Sequence, residues 1–257
     1  MLSVRSYGRG RPVVVLPWFT LDGAVAAEAF EPAFAGLPGY RRVYVDLPGT
    51  GGSAPVAPDS DAVLAAVSAT VDAVAGDEPV LLAGCSYGGY LAAGLTRRRP
   101  ERVAALLLVC SGVKITPAER DLSGVLSAEP EPGWLDGVPG DLRGHFAAAL
   151  GRRTREVADR MADAFAANAP TDDAYLTRLR SEGYRVSDEG SPGGYAGPVT
   201  ILTGRRDQVA GYRDQFAALA AFPDGEYTAL ADVGHYLPFE QPERFAALLR
   251  DWLARTT

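Results

Sequence analysis

Val80-Leu81-Leu82-Ala83-Gly84-Cys85-Ser86-Tyr87-Gly88-Gly89 is the stretch on which the fold turns. Its first four residues are apolar without polar alternation, the pattern of a strand buried on both faces. The residues from Tyr87 to Arg99 carry a helical pattern. Between them, Gly-x-Ser-x-Gly is a sharp strand-to-helix turn that forces Ser86 into strained backbone and demands small neighbours two positions away. Gly84, Gly88 and Gly89 supply that space. Such a turn lifts the hydroxyl above the carboxyl ends of the strands, where the helix amino terminus favours developing negative charge. Taken alone, the five residues also fit a glycine-rich helix start with an incidental serine.

Working outward, short apolar runs alternate with longer helical segments, the pattern of a mostly parallel sheet covered by helices, and the class is α/β. Strands are predicted at Val13–Leu16, Arg42–Val45, Val80–Ala83, Ala105–Val109, Val199–Thr203 and Glu226–Leu230, with Ser3–Tyr7 as an edge candidate. Helices are predicted at Gly23–Ala35, Asp61–Ala75, Tyr87–Arg99, Tyr212–Ala220 and Pro242–Ala254. Pro242 suits a first helical position, where its missing N–H has no intrahelical acceptor. The rhythm breaks from Val113 to Tyr195. This region holds a capping box at Thr116-Pro117-Ala118-Glu119 and amphipathic segments at Asp141–Leu150, Thr154–Ala167 and Asp172–Tyr184, and reads as a helical insertion. Ser111-Gly112 and Ser191-Pro192-Gly193-Gly194 bound it as loop clusters.

A serine hydroxyl is a weak nucleophile unless a neighbour takes its proton, and histidine does this best near neutral pH. The chain has two histidines, His145 and His235. His235 lies past the last predicted strand, at the sheet edge expected for Ser86. His145 falls in the insertion and reads as a surface or cavity-wall residue. The partner of His235 should be a carboxylate that fixes its tautomer. Asp207 follows the strand Val199–Thr203 and falls at the same edge. Asp232 is nearer in sequence but shares a short loop with His235, and Asp214 reads as a solvated helix residue. The order Ser86, Asp207, His235 is nucleophile, acid, histidine.

These features together resemble the α/β-hydrolase fold family over essentially the full length, through Val13–Phe19, Asp46-Leu47-Pro48-Gly49-Thr50-Gly51-Gly52-Ser53, the turn at Ser86, Gly204–Asp207 and Gly234-His235-Tyr236-Leu237-Pro238-Phe239-Glu240. The resemblance implies a core formed by residues 1–112 and 196–257, with 113–195 as an inserted helical cap over the active site. It makes Asp46 a structural turn residue, and it assigns the two backbone N–H donors of the oxyanion hole to Phe19 and Tyr87. One departure stands out: family members usually carry His-Gly after the first central strand, where this chain has Pro17-Trp18. Trp18 is either a substrate-binding wall of the pocket or a core aromatic.

Composition bounds the partners. The chain has 257 residues, 47% hydrophobic and 22% charged, a net charge of -7 and no basic run long enough to form a stripe, so nucleic acid is not an expected partner. No apolar run approaches the ~20 residues of a membrane span, and no leader pattern opens the chain, which predicts a cytoplasmic protein with no membrane partner. Cys85 and Cys110 form no disulfide framework, and with two histidines they show no metal-ligand spacing; they read as buried packing residues, with a redox pair as the alternative. No cofactor or metal is expected, and the sequence leaves the oligomeric state open. The expected activity is that of a serine hydrolase cleaving an ester or thioester of a small apolar molecule through an acyl-enzyme. The alternatives are a carbon–carbon bond hydrolase or lyase using the same triad, and a non-catalytic small-molecule binder.

Overall fold

The computed structural model describes residues 1–256. Seven strands form one sheet: β1 (Val4–Gly8), β2 (Arg11–Leu16), β3 (Tyr40–Val45), β4 (Val80–Cys85), β5 (Val103–Val109), β6 (Val199–Gly204) and β7 (Gly225–Leu230), in the order β1-β3-β2-β4-β5-β6-β7. Only β1, at the edge, runs antiparallel. All seven predicted strands are present. The four central ones were legible because a parallel strand with helices on both sides has no solvent face to mark with polar residues; every residue of β4 and β6 is buried.

The helices are α1 (Gly23–Phe34), α2 (Ser60–Ala75), α3 (Tyr87–Arg98), α4 (Gly140–Ala149), α5 (Arg155–Ala167), α6 (Asp173–Glu182), α7 (Arg213–Ala218), α8 (Leu237–Glu240) and α9 (Pro242–Ala254). Side-chain caps fix the starts of four of them, Asp22 for α1, Asp59 for α2, Thr154 for α5 and Asp172 for α6. Two apolar clusters lie on the two faces of the sheet. One joins α1 and α9 through Phe30 and Phe245, whose rings meet edge-on at 4.9 Å; the other packs α2 and α3 against β2, β4 and β5. None of the described helices is long and apolar enough to cross a membrane.

Between β5 and β6 the described chain runs through α4, α5 and α6 with no strand. This insertion builds no core of its own. Phe146, Val157 and Met161 join the cluster of Val25 and Phe30, while Leu176 and Leu179 join that of Leu47 and Leu64. Its stacking on the carboxyl ends of the strands follows from apolar stripes that only the main core can bury.

Three local expectations are corrected. The Thr116–Glu119 capping box forms no capped α-helix: the chain makes one 3-10 turn at Pro117–Glu119, and Thr116 and Glu119 instead receive Arg185. Asp214 is buried rather than solvated, accepting from the Asp121 N–H at 2.8 Å and pairing with Lys114 at 2.7 Å. The helix predicted at Tyr212–Ala220 ends at Ala218 and tightens into a 3-10 turn, Leu219–Ala221.

Candidate active site

The serine turn carries the strain its sequence implies. Ser86 sits at φ 52°, ψ -117°, between the end of β4 and the first turn of α3. An L side chain is uncommon there, and surrounding contacts must hold it. The Ser86 N–H donates to the Val109 carbonyl at 3.0 Å, and the Ser86 carbonyl accepts from Tyr90 at 3.0 Å and Gly112 at 3.1 Å. The flanking glycines are sterically required. A Cβ on Gly84 would lie 2.4 Å from the Gly88 carbonyl oxygen, and one on Gly88 would lie 2.3 Å from that of Pro17.

The loops after β6 and β7 bring the other two residues to this turn. The Ser86 Oγ lies 2.8 Å from His235 Nε2, and His235 Nδ1 lies 3.1 and 3.0 Å from the two oxygens of Asp207. An ionised carboxylate can only accept, so Nδ1 carries the hydrogen and Nε2 is left to accept the serine proton. Asp207 is fully buried and its Oδ1 also accepts from the Val209 and Ala210 N–H groups, both at 2.9 Å, which fixes the carboxylate plane. Asp232 points away, toward Gln241 at 2.7 Å and Arg244. Asp46 is a turn anchor as the resemblance implies, accepting from Gly23 at 2.8 Å and Gly52 at 2.9 Å.

Phe19 follows β2 and Tyr87 opens α3. As the first residue of its helix, Tyr87 has a backbone N–H without an intrahelical acceptor. The Phe19 loop is pinned from the insertion: Asn168, at the end of α5, accepts from the Asp22 N–H at 2.9 Å and donates to the Thr20 carbonyl at 3.1 Å. The Phe19 ring meets Tyr87 and Tyr184 edge-on at 5.4 and 5.3 Å. Trp18 is packed as a core aromatic and also borders the cavity. It is buried against Tyr236 and Phe239, and its Nε1 points to the His235 carbonyl at 3.4 Å.

A cavity of about 390 Å³ opens onto Ser86 and His235, with apolar walls from Trp18, Ile115 and Val209. Phe19 and Tyr236 also line it. Tyr184 borders the cavity, whereas Trp134, Phe146 and Tyr175 are buried in the two cores. His145 is a cavity-wall residue, its Nε2 2.8 Å from the Tyr236 hydroxyl; burial, with His235 and Arg180 nearby, holds its pKa below the usual imidazole value. Cys85 and Cys110 are unpaired and fully buried, and burial pushes both thiols well above their ordinary range, in keeping with packing residues.

Glu240 was legible only as part of a motif. The fold places its buried carboxylate among four backbone N–H groups, Gly151 and Arg152 at 2.8 Å, Gly234 at 3.0 Å and Tyr236 at 3.1 Å. Gly234 and Tyr236 flank His235, whose own N–H donates to Ala149 at 2.8 Å. The histidine loop is thereby clamped to the end of α4. No local signal announces the clamp, because two of the four donors, Gly151 and Arg152, come from a segment almost ninety residues away.

The chain belongs to the α/β-hydrolase family, whose model matches residues 13–248. Three curated relatives are similar to it. A polyketide synthase, ThaQ, of Burkholderia thailandensis is 30% identical over 97% of this chain and 12% of its own length. A pimeloyl-[acyl-carrier protein] methyl ester esterase of Shewanella woodyi is 30% identical over 58% of this chain and 50% of its own. A 2-hydroxy-6-oxononadienedioate/2-hydroxy-6-oxononatrienedioate hydrolase of Klebsiella pneumoniae is 25% identical over 99% of this chain and 91% of its own. The chain thus spans about an eighth of the synthase and half of the esterase. Among solved structures, an α/β superfamily hydrolase from Oenococcus oeni superposes with a TM-score of 0.88 at 26% identity, covering 99% of this chain and 96% of that one.

Proposed function

We propose that the protein is a serine hydrolase acting on an ester or thioester with a mainly apolar acyl portion, through an acyl-enzyme. The observation that carries this reading is the continuous hydrogen-bonded path from Ser86 Oγ through His235 to Asp207. Ser86 Oγ attacks the carbonyl carbon as His235 Nε2 takes its proton, and Asp207 stabilises the resulting imidazolium. The Phe19 and Tyr87 backbone N–H groups receive the oxyanion. As the tetrahedral adduct collapses, the bond to the alcohol or thiol breaks and His235 returns the proton to that leaving group. Water, deprotonated by His235, then attacks the acyl carbon, and expulsion of Ser86 releases the acid.

In this reading residues 1–112 and 196–257 form the catalytic core, and 113–195 act as a cap. The cavity bounded by Ile115, His145 and Tyr184 from the insertion supports an enclosed small-molecule site over an open groove. The esterase relative favours an ester. A second reading, hydrolysis of a carbon–carbon bond by the same three residues, is favoured by the Klebsiella relative, which matches nearly end to end. Incubation with a fluorophosphonate probe tests the shared premise. Labelling at Ser86 that disappears in His235→Ala is expected, with ester turnover falling on the order of 10³-fold or more in Ser86→Ala. Absent labelling of the wild-type protein, or undiminished turnover in Ser86→Ala, refutes it.

A further inference from the structure

Two cations, Arg120 and Arg180, border the cavity above Ser86. Arg120 is half-buried, and three of its N–H groups donate to backbone carbonyls: Nε to Lys114 at 3.1 Å, Nη1 to Val209 at 2.7 Å and Nη2 to Ile115 at 2.5 Å. Carbonyls orient a guanidinium without neutralising it, and they leave two of its five N–H donors unspent. Arg180, on α6, lies over the Phe19 ring at 4.5 Å and near that of Tyr184 at 5.7 Å. Neither arginine takes part in an ion pair among the described residues, whereas Arg97, Arg98, Arg99 and Arg185 each find an acid. The residues bordering the cavity include no Asp or Glu.

The two guanidinium groups converge. Each acts on the Tyr184 phenol, and Arg180 is close enough to disfavour the charge on Arg120. Burial outweighs both cations at Tyr184 and raises its pKa, so its hydroxyl stays protonated and remains a donor. Asp207 and Asp214 favour the charge on Arg120 without forming an ion pair with it; Asp207 is held by His235 and Asp214 by Lys114. Arg120 is partly desolvated without an ion-paired acid, which is costly, and the planar N–H forks of both arginines match carboxylate and phosphate oxygens.

We propose that the substrate cleaved at Ser86 carries a second, anionic group, a carboxylate or a phosphate, which Arg120 and Arg180 bind beside Tyr184 in the same cavity. The inference rests on the hydrolase reading above and adds to it the substrate's charge. The group is held and left unreacted, so the overall change stays plain hydrolysis. Arg120, fixed by three carbonyls, is the preorganised half of the site; Arg180, exposed on its outer side, is the half that adjusts.

Matched substrate pairs test this on the full chain. The carboxylate arm compares p-nitrophenyl butyrate with p-nitrophenyl hemiglutarate. The phosphate arm compares S-butyryl pantetheine with its 4′-phosphate. In at least one arm the charged member should have a kcat/KM at least tenfold higher, and that arm identifies the anion. Arg180→Gln should erase most of this preference, chiefly through KM, and Arg180→Lys should restore part of it. Equal rates within both pairs, or a preference unchanged in Arg180→Gln, would overturn the proposal while leaving fluorophosphonate labelling and neutral-ester turnover intact. Absence of labelling and of all turnover would instead bring down the hydrolase reading, and the substrate charge with it.

Discussion

Gly88→Ala tests how tightly the serine turn is built. The added Cβ would stand 2.3 Å from the Pro17 carbonyl oxygen and 2.4 Å from that of Leu16. Ordinary contact begins near 3.4 Å, so α3 and the end of β2 must separate by about 1 Å. Both obstructing atoms are backbone, held by the pairing of β2 with β3 and β4, and no side chain can swing away instead. The displacement falls where it matters, because Phe19 follows β2 by three residues and Tyr87 precedes Gly88. The two proposed oxyanion donors are thus pushed apart. Overpacking of this kind costs about 1–3 kcal/mol of stability. Loss of one well-placed oxyanion donor costs about 10²–10³ in kcat, and a misplacement of about 1 Å alone costs on the order of 10². The variant should therefore fold, melt at a lower temperature, and show kcat lowered about 10²–10³-fold with a smaller change in KM. Steady-state ester hydrolysis and a thermal melt read both quantities. Turnover within a few-fold of wild type, at unchanged secondary structure, would refute the placement of the donors.

Asp207→Asn should lower kcat by up to about 10⁴-fold, because an amide no longer sets the histidine tautomer; Asp232→Asn, at a side chain paired with Gln241 and Arg244, should stay within about threefold. The reverse ranking in steady-state kinetics would reassign the acid. Glu240 makes stability depend on pH. Burial, opposed by the four backbone N–H groups, pushes its carboxyl from 4.5 up to about 7. The folded state then holds the proton more tightly than the unfolded chain, so this contribution is fully present below about pH 4.5 and is lost as pH rises through 7. The interval corresponds to roughly 3 kcal/mol at about 1.4 kcal/mol per pH unit. Urea unfolding between pH 5 and 8 should give a wild-type stability that falls more steeply with pH than that of Glu240→Gln, and parallel profiles would contradict this.

What could be read from the sequence was whatever depends on the immediate neighbourhood of a residue. β4 and the turn at Ser86 announce themselves because burial on both faces and a strained backbone each restrict residue type locally. His235 and Asp207 were legible one step further out, since a strand followed by a loop places both at the carboxyl edge of a parallel sheet. Arg120 and Arg180 were not: they are sixty residues apart, and only the fold within the insertion brings Arg120 to Arg180 and Tyr184. Asp214 failed for the same reason, its burial depending on Lys114 and Asp121 from another segment. The capping box at Thr116 matched its pattern, but Arg185 offers both side chains a partner that a local rule does not contain.

The positions of backbone strain bear on why these long-range contacts exist. Three non-glycine residues have positive φ, Thr20 at 72°, Ser86 at 52° and Cys110 at 45° among the described residues, and each lies just beyond the carboxyl end of a central strand, β2, β4 or β5. Such conformations cost of order 1–3 kcal/mol each and persist only where the surroundings over-determine them. Each is held by a contact from elsewhere in the chain. Asn168 binds the Thr20 carbonyl, Val109 takes the Ser86 N–H, and Cys110 donates its N–H to Leu202 and its thiol to the Gly234 carbonyl. The last contact reaches the residue next to His235. The insertion and the histidine loop, through Asn168 and Gly234, therefore hold the strained ends of β2 and β5, beside Phe19 and on either side of the strand that presents Ser86. A loosened clamp should be felt first as misplacement of these groups, before any loss of the sheet, whose buried strands need none of these contacts to pair.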